Sequence, residues 1–162
     1  MHDELKQVDE RDLSLLPLKF QVMFAVFCAK QIEPLWKDAK ECVYAMELVE
    51  GWLNGENSGE ECRNSAAASF NAYYTASYSA NGFESVARAA LAVAYVVDQD
   101  GNDHYTTAFA AYSSTLAIRA AIFADYKNVS SMIEAQWKYY HELLHFDDIA
   151  EDVLLGFMAT DL

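Results

Sequence analysis

Two prolines and six glycines are all that punctuate this chain of 162 residues. A many-stranded β-sandwich needs a turn signal every 8–12 residues or so, and the sequence does not supply them. No sustained β-branched alternation occurs either. Apolar residues instead recur at steps of three and four, the spacing of an amphipathic helix. The spacing predicts helices over 17–33, 35–53, 60–79, 83–97, 104–126, 132–145 and 149–158. The strongest breaks are Asn54-Gly55-Glu56-Asn57-Ser58-Gly59 and Asp98-Gln99-Asp100-Gly101-Asn102-Asp103, both rich in turn formers.

Particular positions carry particular expectations. Pro17 suits a first helical turn, and Pro34 kinks its helix or starts the next. Asn81-Gly82 closes the third helix with left-handed geometry. Lys127-Asn128 ends the fifth, and Ser130 or Ser131 caps the sixth. Leu35, Ala39, Cys42, Val43, Met46, Val49 and Leu53 form the buried face of the second helix. Tyr105, Phe109, Tyr112, Leu116, Ala120 and Phe123 form the apolar stripe of the fifth. Ala- and Ser-rich middle helices let axes approach closely, with Tyr and Phe filling the gaps. The expected fold is all-α, a compact bundle or array of six to seven helices in one domain. Residues 1–12 form a charged, frayed N-terminus, and 13–162 the helical domain.

A chain of this size, 53% hydrophobic, can bury a core without disulfides or a structural metal. Cys28, Cys42 and Cys62 are odd in number, show no CxxC, and read as buried reduced thiols. The polar start Met1-His2-Asp3-Glu4 has no apolar signal region. The most apolar run, 13–29, is interrupted by Pro17, Lys19 and Gln21, short of an unbroken span. These features predict a cytoplasmic protein. The net charge of -14 and pI near 4.4 argue against nucleic acid, whose phosphates need Lys and Arg, and against anionic membranes. They favour a basic protein partner reached by electrostatic steering.

The sharpest motif is His141-Glu142-Leu143-Leu144-His145. HExxH on a helix sets two imidazoles one turn apart, with the Glu as general base of a zinc hydrolase. No third ligand stands in a familiar place, and Asp148, Glu151 or Asp152 would have to serve. Phased from Ile133, the helix centres its apolar face on Trp137, Tyr140 and Leu144, with His141 at the flank, His145 farther out and Glu142 nearly opposite. A di-iron site would need two Glu-x-x-His pairs, and only Glu142-x-x-His145 is present. There is no P-loop, GxGxxG or GxSxG. The residues point to no cofactor. Tyrosines spread over four helices read as packing, or as contact anchors on a partner surface. The acids Asp98, Asp100 and Asp103 are the candidate partner-binding residues.

The segment order resembles the Ala-rich, all-helical immunity proteins found beside bacterial polymorphic toxins. The matching stretches are Phe24 to Trp36, with its Cys28-Ala29 and Pro34; Ala39 to Glu56, closing on Trp52 and Gly55-Glu56; the Ala-rich helices; and Glu134-Ala135-Gln136-Trp137. Asp38-Ala39-Lys40 stands where that family tends to carry an Asp-Arg-Pro-type element. The resemblance implies a non-catalytic protein that binds and neutralises a cognate toxin. The alternatives are a metal-dependent hydrolase using His141, Glu142 and His145, and a helical scaffold or homodimer.

Overall fold

A computed structural model describes residues 6–56, 59–73, 80–97, 103–125 and 128–146; the side chains of 70–73, 80, 97, 103 and 104 are outside it. Among these residues the structure is all-helical, with seven α-helices and no strand: α1 (Glu10–Leu13), α2 (Leu18–Lys30), α3 (Lys40–Leu53), α4 (Gly59–Tyr73), α5 (Ala80–Val97), α6 (Asp103–Ala124) and α7 (Val129–Leu144). The helix expected over 149–158 lies outside the described residues.

The apolar run that reaches Ala29 becomes α2, the central helix. Every residue from Phe20 to Ala29 is buried, Gln21 included. A helix that is apolar all round must be covered all round, and α2 packs on α3, α5, α6 and α7. Each fully buried Phe, Val or Met contributes roughly 1.5–3 kcal/mol, so α2 is the largest single contributor to the core. Antiparallel α7 meets it through a file of aromatic pairs. Phe20 meets Phe146 edge-on at 5.0 Å, Phe24 meets Tyr140 edge-on at 6.4 Å, and Phe27 stacks on Tyr139 at 4.4 Å. The file ends in amides: Gln136 Nε2 donates to Gln31 Oε1 at 2.9 Å, and Gln31 Nε2 donates to the Met132 carbonyl at 3.2 Å. Both amides are buried, so their mutual pairing removes the penalty each would carry alone.

The second close contact is between α5 and α6, and it is built from small residues. Ser85, Ala89 and Ala92 of α5 are buried, as are Thr106, Ala110, Ser113 and Ala117 of α6. Without bulky side chains between them the backbones come close enough for hydroxyls to reach the opposite carbonyls. Ser85 and Ser113 exchange such bonds, and Thr106 Oγ1 donates to the Ala92 carbonyl at 3.1 Å.

Several expectations are corrected. The charged N-terminus is held from Lys6 onward rather than frayed. Asp9 and Asp12 form a reciprocal capping box on α1, Val8 and Leu13 are buried, and α7 grips the segment through Trp137 Nε1 to the Lys6 carbonyl and Tyr140 Oη to the Asp12 carbonyl. Pro34 neither kinks a helix nor starts one. It sits in a 3-10 turn, Glu33–Leu35, and α3 begins at Lys40. Trp36 anchors this turn: its buried indole donates to the Ala29 carbonyl at 2.8 Å, which also accepts from the Ile32 N–H at 3.2 Å.

Asn81-Gly82 lies inside α5 and ends nothing. Gly82 is buried against the 3-10 turn, where a Cβ would stand 3.4 Å from Ile32 and 3.6 Å from Leu35, both ordinary contact distances. The left-handed glycine is Gly55, after α3, whose loop is sealed by Glu56 N–H donating to the Gly51 carbonyl. α6 stops before Lys127 because Asp125 adopts positive φ, a conformation short polar side chains tolerate. Asn128, not Ser130 or Ser131, caps α7, its Oδ1 accepting from Ser131 N–H.

The largest correction concerns α6. Its expected apolar stripe is split: Tyr105, Tyr112 and Phe123 are exposed, at 42%, 49% and 80%, while Phe109 is half-buried and Leu116 and Ala120 are buried; Ile122, outside the stripe, is exposed at 60%. The buried side is the Ala/Ser/Thr face that meets α5. Segment Tyr105–Ala124 is also long and apolar enough to cross a membrane by length and composition, and half of it is buried within the protein.

Candidate partner-binding faces

Among the described residues no charged side chain is buried. The buried polar residues are all Gln, Ser or Thr. The innermost ion pair, Lys30 with Glu50, is still partly solvated. The buried ionisable groups are uncharged ones. Burial pushes the Cys28 thiol well up and lifts Cys42 to about 11; burial, with Glu142 and Cys28 beside it, raises the Tyr139 phenol. All three cysteines are buried and outside any disulfide. The fixed charge of the described chain therefore sits where it can act on solvent and on partners.

The HExxH helix is turned farther out than its sequence phase implies. α7 buries Met132, Ile133, Gln136, Tyr139, Tyr140 and Leu143, which moves the centre of its inner face to Gln136 and Leu143. At roughly 100° per residue, His141 and His145 then lie near the opposite side, and both are exposed. Glu142 comes round to the flank, half-buried near the Tyr139 phenol. His141 stacks between Trp137 at 5.7 Å and His145 at 6.2 Å, forming a ring ladder up the outside of the helix. The described residues contain no group of three or more His, Cys, Asp or Glu able to hold a metal. Asp148, Glu151 and Asp152 lie outside the described residues.

Of the acids singled out in the sequence, Asp98 and Asp100 also lie outside the described residues. Asp103 opens α6. A different acidic face is fully described on α3. Glu41, Tyr44 and Glu47 follow one another at steps of three along its outer side, all exposed, with Tyr44 at 53%. Lys40 and Leu48 flank them. The signal for this face was present in the sequence: they are the residues left over once Cys42, Ala45, Met46 and Val49 are assigned inward.

The surface of α4, α5 and α6 has another character. Arg63 lies over the Tyr95 ring at 5.8 Å; Tyr95 stacks on Phe109 and packs on Tyr105, both at 5.2 Å; Arg88 covers Phe109 at 5.4 Å and Tyr112 at 5.0 Å. Guanidinium and ring faces attract through the ring quadrupole, so this ridge is held in place before any partner arrives.

A groove of about 570 Å³ runs between α1, the start of α2 and α6, walled by Leu16, Pro17 and Leu18, with Glu10 and Arg11 at its rim. Its buried floor is closed upon itself, since Thr107 Oγ1 donates to Gln21 Oε1 at 2.7 Å and Gln21 Nε2 donates to the Leu16 carbonyl.

These features define a class: an all-helical array whose charged and aromatic chemistry is displayed on helix faces, not gathered in a cleft. Comparison with protein-family models, with curated proteins and with solved structures finds no match to this chain.

Proposed function

We propose that this chain is a non-catalytic binding protein that neutralises a basic bacterial toxin by covering it. The observation that carries the reading is that no described charged residue is buried, on a chain of net charge -14. Such a surface raises the rate of encounter with a cationic partner. Glu41, Tyr44 and Glu47 offer the pattern that a basic surface would engage: two carboxylates to guide it and a ring between them to anchor it. The segment order that resembles toxin-neutralising immunity proteins supplies the biological setting.

The test uses the protein encoded beside this one. Co-expression should relieve any toxicity that it causes. In a surface-based kinetic assay, association should slow as salt rises from ~10 to ~150 mM, because the Debye length shrinks from ~30 to ~8 Å. Glu41→Gln with Glu47→Gln should slow association further. Tyr44→Ala should speed dissociation, by about tenfold for ~1.4 kcal/mol lost. Unrelieved toxicity together with no detectable binding sinks the proposal.

A further inference from the structure

The outer side of α6 carries Tyr105, Ala108, Tyr112, Thr115, Arg119 and Ile122. Tyr105, Tyr112, Arg119 and Ile122 are exposed; Ala108 and Thr115 are half-buried. Their spacing is three, four, three, four, three. That is the a/d heptad spacing by which one helix packs along another, and within the chain α6 spends its opposite face on α5. The seam spans 105–122, about 26 Å of helix at 1.5 Å per residue.

The pattern is self-complementary. If a second α6 is laid antiparallel with a two-fold axis between positions 113 and 114, the six positions map onto themselves. Tyr112 falls opposite Thr115, Arg119 opposite Ala108, and Tyr105 opposite Ile122. The bulky side chains at the centre thus meet small ones, as knobs need holes. Arg119 lands beside Tyr105 and Tyr112 of the second copy, repeating the arginine-on-ring contact that Arg88 makes with Tyr112 within the chain.

Charge favours the same occupant. No Asp or Glu occurs from His104 to Ala124, so two copies of an otherwise strongly acidic protein meet here without carboxylates at the contact. The rings are also held in advance, Tyr105 against Tyr95 and Tyr112 under Arg88, which reduces the ordering that association requires.

We infer that this stripe is a self-association seam, through which α6 of one copy packs antiparallel on α6 of a second copy. The contact buries on the order of 1,000 Å² in total, the lower edge of specific interfaces, so the dimer is weak and concentration-dependent.

Sedimentation velocity from ~5 to ~500 µM tests it, a range suited to an interface of that size. A reversible monomer–dimer equilibrium is expected. Tyr112→Glu and, separately, Ala108→Glu should abolish it while leaving the circular dichroism and melting temperature near wild type. A Tyr105→Cys/Ile122→Cys double variant should form a covalent dimer on mild oxidation, against a low background because the native cysteines are buried. Monomer at every concentration overturns the inference and leaves the stripe to a foreign helix. A dimer that survives both Glu variants overturns the location. Equally efficient cross-linking by Tyr105→Cys alone overturns the antiparallel arrangement.

Discussion

Ser85 and Ser113 each donate a hydroxyl to the other's backbone carbonyl, at 2.8 and 2.7 Å, with their own oxygens 3.2 Å apart. Two side chains of minimal size thus bridge α5 and α6 through both main chains, and their size sets how near the helices lie. Burial of a hydroxyl is tolerable only with such partners. Because the contact is symmetric, removing one hydroxyl takes from the other serine's carbonyl the second donor that it has beyond its helical N–H.

Enlarging either serine should therefore hurt more than trimming it. Ser113→Ala is expected to cost about 1 kcal/mol, the net value of a buried hydrogen bond. Ser113→Leu should cost about 1–3 kcal/mol or more by forcing the helices apart. Urea denaturation of the three proteins measures both, and an Ser113→Leu variant as stable as wild type would show that the close approach is not required.

The paired amides Gln31 and Gln136 predict non-additivity. Gln136→Leu alone strands the Gln31 oxygen in the core and should cost about 1–3 kcal/mol. Adding Gln31→Leu should recover much of that loss, since replacing both partners by apolar groups of similar shape is close to neutral. A double-mutant cycle reads the coupling; simple additivity would mean the amides act independently.

Alkaline pH should weaken the fold. The Cys42 thiol, lifted to about 11 by burial, and the raised Cys28 and Tyr139 groups stay protonated when folded. In the unfolded chain a thiol ionises near ~8.5. Above that value the unfolded state binds fewer protons than the folded state, so stability falls with rising pH. The contribution is complete below about pH 8.5 and is lost progressively toward pH ~11. Melting temperatures from pH 7 to 11 should decline over that window, more shallowly in Cys42→Ala. An unchanged melting temperature throughout would contradict the assignment.

The exposed ladder on α7 predicts little effect from losing an imidazole. His141→Ala should shift stability by within about 0.5 kcal/mol, as surface substitutions do. Protein purified without a histidine tag should hold less than one zinc per chain. A tightly bound equivalent lost on that substitution would make the hydrolase reading the leading one.

The helical class was legible because it depends on local quantities: scarce breakers, spacing of three and four, and turn formers between. The inward side of α3 followed from the same pattern, since Cys42, Met46, Val49 and Leu53 are buried as their spacing implies. So did the thiol state of the cysteines, which form no disulfide. The acidic surface was legible from charge alone, because unpaired carboxylates are too costly to bury.

The tertiary structure decided which face of each helix faces in, wherever a helix is apolar on more than one side. In α6 the large aromatic stripe and the small Ala/Ser/Thr stripe compete for the interior. Hydropathy favours the rings; the interior took the small residues, because α5 presents a matching small face and reciprocal hydroxyl bonds that only close backbones permit. In α7 the amide Gln136 already fell on the expected stripe, but its partner Gln31, 105 positions away, came only with the fold; the inner face centres toward Gln136, and His141 and His145 stand outward. Spacing along one chain determines that a helix has faces. Which face is buried depends on the shape and hydrogen-bonding of the surface it meets, and that surface comes from elsewhere in the sequence.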